Sequence, residues 1–277
     1  MNTRLIFFSF LFLVSIATRA QSSQSKPLTI GSTETFNSSF LKEPRSINVY
    51  VPVGYNPKDT VTYPVVYVLD GGLDEDFLHI AGIYQFNSFE WINLVPKSIV
   101  VGIVNTARRR DMTFPVSNKE AYKRFEPLGG SEAFMNYIEK EVIPFVGSHY
   151  KTNSYKTIVG QSLAGLFATE VLLKRPTLFN EYIIVSPSIW WNDGSLLNES
   201  IEAFSKANQL KIYIGVGKEG LAPIKEPHVM EVDANLLVEK LKAAKNSTHK
   251  IVFDYLPNET HATVTHQAVF NALRLLH

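Results

Sequence analysis

Short apolar runs alternate along this chain with segments whose apolar residues recur at helical spacing. Ser46-Ile47-Asn48-Val49-Tyr50-Val51 alternates with period two and predicts an early strand, ended by Pro52 and Gly54. Tyr63 to Leu69 is almost continuously apolar, as expected of a strand covered on both faces, and it runs into Asp70-Gly71-Gly72. Phe77 to Leu94 reads as a helix and Ser98 to Val104 as a second buried strand. A polar, arginine-rich loop follows from Asn105 to about Pro127. Ser131 is placed to cap a helix over Glu132 to Val146, in which Phe134, Tyr137, Ile138, Val142 and Ile143 share one face. Strands are then predicted before Gly160, at Tyr182–Val185, Leu210–Gly217 and Lys250–Tyr255. Helices are predicted after Ser162, at Leu196–Ala207, Asp233–Ala244 and Thr263–Leu276. This alternation predicts an α/β fold with a mostly parallel, doubly wound sheet and helices on both faces. No repeat or linker divides it, so a single domain is expected over residues 27–277.

The N-terminus breaks the pattern. One arginine in the first four residues, an apolar run over Leu5–Ala17 and Thr18-Arg19-Ala20 read as a signal peptide spanning residues 1–20. The run is shorter than the roughly 20 residues a spanning helix needs, so cleavage, export to a periplasmic or extracellular space and no stable membrane insertion are expected. Composition narrows the chemistry. The 277 residues carry a net charge of +1, which gives no reason to expect a nucleic-acid partner, and the absence of cysteine excludes disulfides, a cysteine nucleophile and a zinc–thiolate site. The seven histidines show no metal-binding spacing. Four N-x-S/T sequons, at Asn37, Asn198, Asn246 and Asn258, are read as chance occurrences.

The most informative stretch is Thr157-Ile158-Val159-Gly160-Gln161-Ser162-Leu163-Ala164-Gly165-Leu166-Phe167. A β-branched run, a glycine, a serine and small residues opening a helix make the strand–turn–helix context of a nucleophile elbow. The match is G-x-S-x-A, with the second glycine displaced to Gly165. In open parallel sheets ligands bind beyond the carboxyl ends of the strands. His261 lies in the loop after the last strand and is the candidate base. Glu219, after the Leu210–Gly217 strand, is the candidate acid, with Asp193 its first rival. Two backbone N–H groups should meet the developing oxyanion: that of Leu163, and one from the loop after an earlier strand, Gly72 or Leu73. Arg108 and Arg110 are candidates for pairing with an anionic substrate, or for a structural role in which Arg110 pairs with Asp111. Trp190 and Trp191 are candidates for an aromatic substrate wall, or for the core.

These residues resemble the putative-esterase group of α/β-hydrolases, close to the siderophore (ferric-enterobactin and bacillibactin) esterases and more distantly the feruloyl esterases and S-formylglutathione hydrolase. The resemblance runs from about Pro44 to the end. It covers Arg45 to Tyr55, Tyr63 to Gly71, Asn105 with Arg108, Arg110, Asp111, Thr113 and Pro115, then Gly129-Gly130, Ile143-Pro144, the elbow, Ser186 to Trp191, Gly217 with Glu219, and His261. It implies ester hydrolysis of a small-molecule substrate by Ser162 and His261 with no metal and no organic cofactor. Catecholate lactones and feruloyl or acetyl carbohydrate esters both remain as substrates. Acyl transfer and a catalytically silent binding protein on the same fold remain as alternatives. Ala164 departs from the glycine usual in this group.

Overall fold

The computed structural model describes residues 24–244 and 248–277. The expected signal peptide, residues 1–20, and the sequon at Asn246 lie outside the described residues. Eight strands form one sheet in the order β1-β2-β4-β3-β5-β6-β7-β8. They are β1 (Ser32–Ser38), β2 (Glu43–Tyr50), β3 (Tyr63–Val68), β4 (Ile99–Ile103), β5 (Thr152–Gln161), β6 (Glu181–Val185), β7 (Lys211–Gly217) and β8 (Lys250–Leu256). Only the β1–β2 and β2–β4 pairings are antiparallel; the rest are parallel.

The continuous apolar runs arise because successive side chains enter two different cores. Val65, Tyr67 and Leu69 pack on one face, and Val66 and Val68 on the other. The first core is closed by α4 (Ser131–Tyr137), a single π-turn over Ile138–Val142, α5 (Ile143–His149), α6 (Leu163–Lys174) and α8 (Met230–Lys242). The second is closed by α1 (Phe77–Asn87) and α9 (Val264–Leu276). From β3 the chain passes to β4 on one side, and β3 then meets β5 on the other. The order therefore reverses between β3 and β5, and the crevice beyond their carboxyl ends is where such a sheet binds ligands.

Several readings needed correction. Ser131, expected as a cap, is the first residue of α4, and Gly130 holds the cap position. β1 was not anticipated, because its sequence STETFNS is polar and its outer face is exposed. The predicted helix Phe77–Leu94 ends at Asn87, where Ser88 caps it and the chain turns. The arginine-rich loop holds two short helices, α2 (Arg108–Met112) and α3 (Lys119–Tyr122). The predicted helix Leu196–Ala207 is one 3₁₀ turn over Ser195–Asn198 followed by α7 (Glu202–Lys206).

Candidate active site

β5 delivers Ser162 into a backbone conformation with φ 62° and ψ −119°, and α6 begins at the next residue. A non-glycine residue with positive φ is strained, and it is held here from both sides. Ser162 N–H donates to Val185 O at 3.0 Å, while Ser162 O accepts from Ser188 N–H at 3.1 Å and from Leu166 N–H at 2.9 Å. The glycines show why the elbow tolerates alanine at 164. A Cβ on Gly160 would lie 2.6 Å from Ala164 O, and one on Gly165 would lie 2.9 Å from Val185 O and 3.0 Å from Pro187 Cα. The close helix–sheet approach falls on Gly165, and the Ala164 methyl is fully buried in the first core.

Three side chains meet at this turn. His261 Nε2 lies 3.0 Å from Ser162 Oγ, and His261 Nδ1 lies 2.6 Å from Glu219 Oε2. Glu219 also accepts from Ser186 Oγ and from Gly217 N–H. Its side chain is 3% exposed, while that of His261 is 45% exposed. Burial works against the Glu219 carboxylate, but the hydrogen bonds from His261, Ser186 and Gly217 outweigh it and hold the group below the ordinary glutamate range. A buried, ionised acid on one side of an imidazole and a hydroxyl on the other is the arrangement that lets the ring accept a proton from the hydroxyl.

The surrounding loops are pinned. Glu231 accepts from Glu219 N–H at 2.8 Å and from Gly220 N–H at 3.0 Å, which fixes the acid's backbone. Gln161 Nε2 donates to His261 O at 2.9 Å, tying the histidine loop to the residue before Ser162. A Cβ on Gly217 would lie 2.7 Å from Glu259 O, so that loop can pass only over a glycine. Ser188 Oγ, 3.4 Å from Ser162 Oγ, offers the serine a second polar neighbour. Ser186, Ser188, Gln161 and Glu231 were not assigned these roles from sequence. Ser186 and Ser188 lay in a quoted run, but nothing in their spacing indicates which serine faces the acid.

The rival acid Asp193 does not reach His261. It is 76% exposed and accepts from His228 Nε2 at 3.1 Å, while His228 Nδ1 bonds Asp233 at 2.8 Å. Leu163 N–H is the first amide of α6 and has no carbonyl one turn back to accept it. Gly72 departs from expectation: its N–H donates to Glu75 Oε2 at 2.9 Å, so it is already engaged. Arg108 stays beside the site, but its fork is bound at 2.7 Å by both oxygens of Asp70, and its NH2 lies 3.4 Å from Gln161 O. Arg110 is removed from it, pairing with Asp111 at 2.7 Å and Glu43 at 2.6 Å, in a cluster with the buried Arg45. Trp190 and Trp191 are also corrected as a substrate wall. They are 4% and 0% exposed, and Trp191 Nε1 donates to Phe114 O at 3.0 Å while its ring packs on Tyr122 and Phe125. Among the described residues no group of three His, Asp or Glu could hold a metal ion, and no helix is long and apolar enough to cross a membrane.

The chain is similar to known proteins over most of its length. Over 275 residues the chain is 28% identical to a ferri-bacillibactin esterase of Bacillus subtilis (strain 168), covering 92% of this chain and 93% of the relative. A solved IroE-like serine hydrolase from Shewanella oneidensis superposes with a TM-score of 0.76 at 30% identity, over 88% of this chain and 79% of that one. The BES protein from Bacillus cereus superposes with a TM-score of 0.78 at 27% identity, over 92% and 97% of the two chains. The family model described as "Putative esterase" matches residues 38–272, and the chain belongs to that esterase family.

Proposed function

We propose that this protein is an exported serine carboxylesterase acting on siderophore-type esters. The observation that carries the reading is His261, bonded to Ser162 Oγ at 3.0 Å through one nitrogen and to Glu219 at 2.6 Å through the other. Ser162 Oγ attacks the ester carbonyl as its proton passes to His261 Nε2. Glu219 holds the imidazole in the tautomer with Nδ1–H and stabilises the imidazolium that forms. The carbonyl oxygen becomes an oxyanion and accepts from Leu163 N–H. On collapse, His261 gives the proton to the leaving alkoxide, which departs as an alcohol. Water, activated by the same imidazole, then releases the acid from Ser162.

The siderophore class is supported by the similarity to the ferri-bacillibactin esterase of Bacillus subtilis. Export is supported by the pattern of residues 1–20. The site's own charge bears on selectivity. Asp70 neutralises Arg108, so recognition of an anionic ester would require Arg108 to exchange that carboxylate for substrate. A carbohydrate ester would need no such exchange. The test is hydrolysis of a catecholate lactone against a feruloyl sugar by wild type and Ser162→Ala. Ser162-dependent turnover favouring the lactone is expected. Preference for the sugar ester would replace the substrate class, and turnover surviving in Ser162→Ala would remove the mechanism.

A further inference from the structure

Ser162 stands at the carboxyl end of a parallel strand, and the amino ends of those strands make the opposite end of the molecule. β5 separates the two ends by ten residues, about 33 Å at the usual strand rise. Lysines collect at the far end. Lys97 precedes β4, Lys151 precedes β5, and Lys211 and Lys250 open β7 and β8, where they pair in register. Lys58 lies in the loop before β3. The ion pairs that lysines make among the described residues fall on Lys123, Lys140, Lys174 and Lys206, so none of these five meets a carboxylate. Lys211 Nζ bonds the His277 ring at 3.2 Å, and Lys97 Nζ lies 3.5 Å from Val53 O. Two exposed acids, Asp59 and Glu90, lie in the segments that carry Lys58 and Lys97. The whole chain has a net charge of only +1, and Asp70, Glu75, Asp76 and Glu219 follow the carboxyl ends of β3 and β7. Charge is thus divided between the two ends, and the field at the far end is positive.

The same end exposes apolar groups. Trp91 is 79% exposed and Val53 70% exposed, although indole rings are usually well covered. The Trp91 ring is held in place by stacking on Phe89, with the centroids 4.6 Å apart. Lys97 stands between two grooves. One, of about 350 Å³, is lined by Val53, Phe89 and Trp91. The other, of about 610 Å³, is lined by Val61, Tyr63 and Lys211. Ammonium groups with no carboxylate partner attract an anionic surface, and a projecting indole has an apolar body and a polar N–H suited to the boundary of a bilayer. A second copy of this chain fits poorly, because a two-fold contact through this face would set lysine against lysine.

We propose that this end is a peripheral docking face for an anionic lipid surface, on which the five lysines meet lipid phosphates and Trp91 enters the headgroup layer. The chain lies on the lipid without crossing it, by two combined signals, charge and an aromatic anchor. Docked in this way, the Ser162 site faces away from the lipid into solution. The proposal does not depend on the esterase reading.

The experiment is co-sedimentation with vesicles of phosphatidylglycerol mixed with phosphatidylcholine, against vesicles of phosphatidylcholine alone, with tryptophan emission recorded. The chain starting at Gln21 is used, so that the apolar run over Leu5–Ala17 contributes nothing; the first strand begins at Ser32. Wild type should bind the anionic vesicles and not the neutral ones, and salt that shortens the Debye length to about 3 Å should release it. Trp190 and Trp191 are buried, so a blue shift on binding reports Trp91. Lys97→Gln and Lys151→Gln should each weaken binding about fivefold, and the double variant at least about tenfold. Lys119→Gln, in the loop beyond the carboxyl end of β4, should bind as wild type does. Trp91→Ala should bind more weakly and lose the blue shift. Melting curves establish folding, and should a variant not fold, wild type on the two vesicle types decides. Failure to bind the anionic vesicles at low salt, equal binding to the neutral ones, or binding that the double lysine variant leaves intact overturns the proposal. So does binding with unmoved tryptophan emission, since Trp91 would then lie off the lipid. A dimer in sedimentation velocity that Trp91→Ala dissociates would assign the face to a second copy and overturn it as well.

Discussion

His261 and His228 each have a carboxylate on Nδ1 and a further partner on Nε2, and only one of the two is placed to act as a base. His261 has Glu219 on Nδ1 and the Ser162 hydroxyl on Nε2. His228 has Asp233 on Nδ1 and Asp193 on Nε2. With a carboxylate on each side, His228 is drawn toward the imidazolium, in which both nitrogens donate and no lone pair remains to take a proton. His261 faces an acceptor on one side and a proton source on the other. The same side chain is thus a clamp between the loop after β6 and the start of α8 in one place, and the centre of the proposed catalytic machinery in the other. The neighbour on the second nitrogen makes the difference.

Substitutions at the acids and at Ser162 should separate the two. Ser162→Ala should reduce kcat by about 10⁴-fold or more without lowering the melting temperature, measured on a p-nitrophenyl ester. Glu219→Gln should cost at least about tenfold in kcat, because the imidazolium loses its charged partner. Asp193→Asn should leave kcat within about twofold; a loss as large as that of Glu219→Gln would mean that the His228 clamp, not only His261, sets the rate. Gly165→Ala should lower stability by about 1–3 kcal/mol in denaturant melts, since its methyl would crowd Val185 O and Pro187.

The smallest effect should come from pH. Burial opposes a charge on His228, but hydrogen bonds and attraction from Asp193 and Asp233 outweigh it and raise its pKa above the ordinary 6.5. The folded state then binds the proton more tightly than the unfolded chain. This contribution to stability is complete below the ordinary histidine value and is lost as pH rises through the raised one. Melting curves across pH 5 to 9 should show wild type losing more stability on alkalinisation than His228→Gln. Parallel curves would mean that the clamp is not charged.

Much of this could be read from sequence because the signals were local. β3, β5 and the elbow lie in runs whose residue types permit little else, and its place in the loop after the last strand pointed to His261. The acid was left between Glu219 and Asp193, since each follows a strand, and only the fold shows that Asp193 meets His228. Gly72 was the natural donor for a glycine turn, but its engagement depends on a glutamate three residues on, reading as helix entry. Trp190 and Trp191 sit beside the site in sequence yet turn inward, because Phe114, Tyr122 and Phe125 from the arginine loop enclose them. Arg108 and Arg110 are two residues apart in one short helix, and the carboxylates they meet, Asp70 in one case and Glu43 with Asp111 in the other, separate their roles. For the acid, the tryptophans and the arginines, contacts between distant segments decided the outcome, and no local pattern encodes them.

The most direct test of the central claim is to trap the acyl-enzyme. Wild type quenched in acid during turnover of a slow p-nitrophenyl ester should carry one acyl group on the peptide containing Ser162, found by mass spectrometry, with none in Ser162→Ala. Turnover with no acyl group at Ser162, or with the group on another residue, would contradict it.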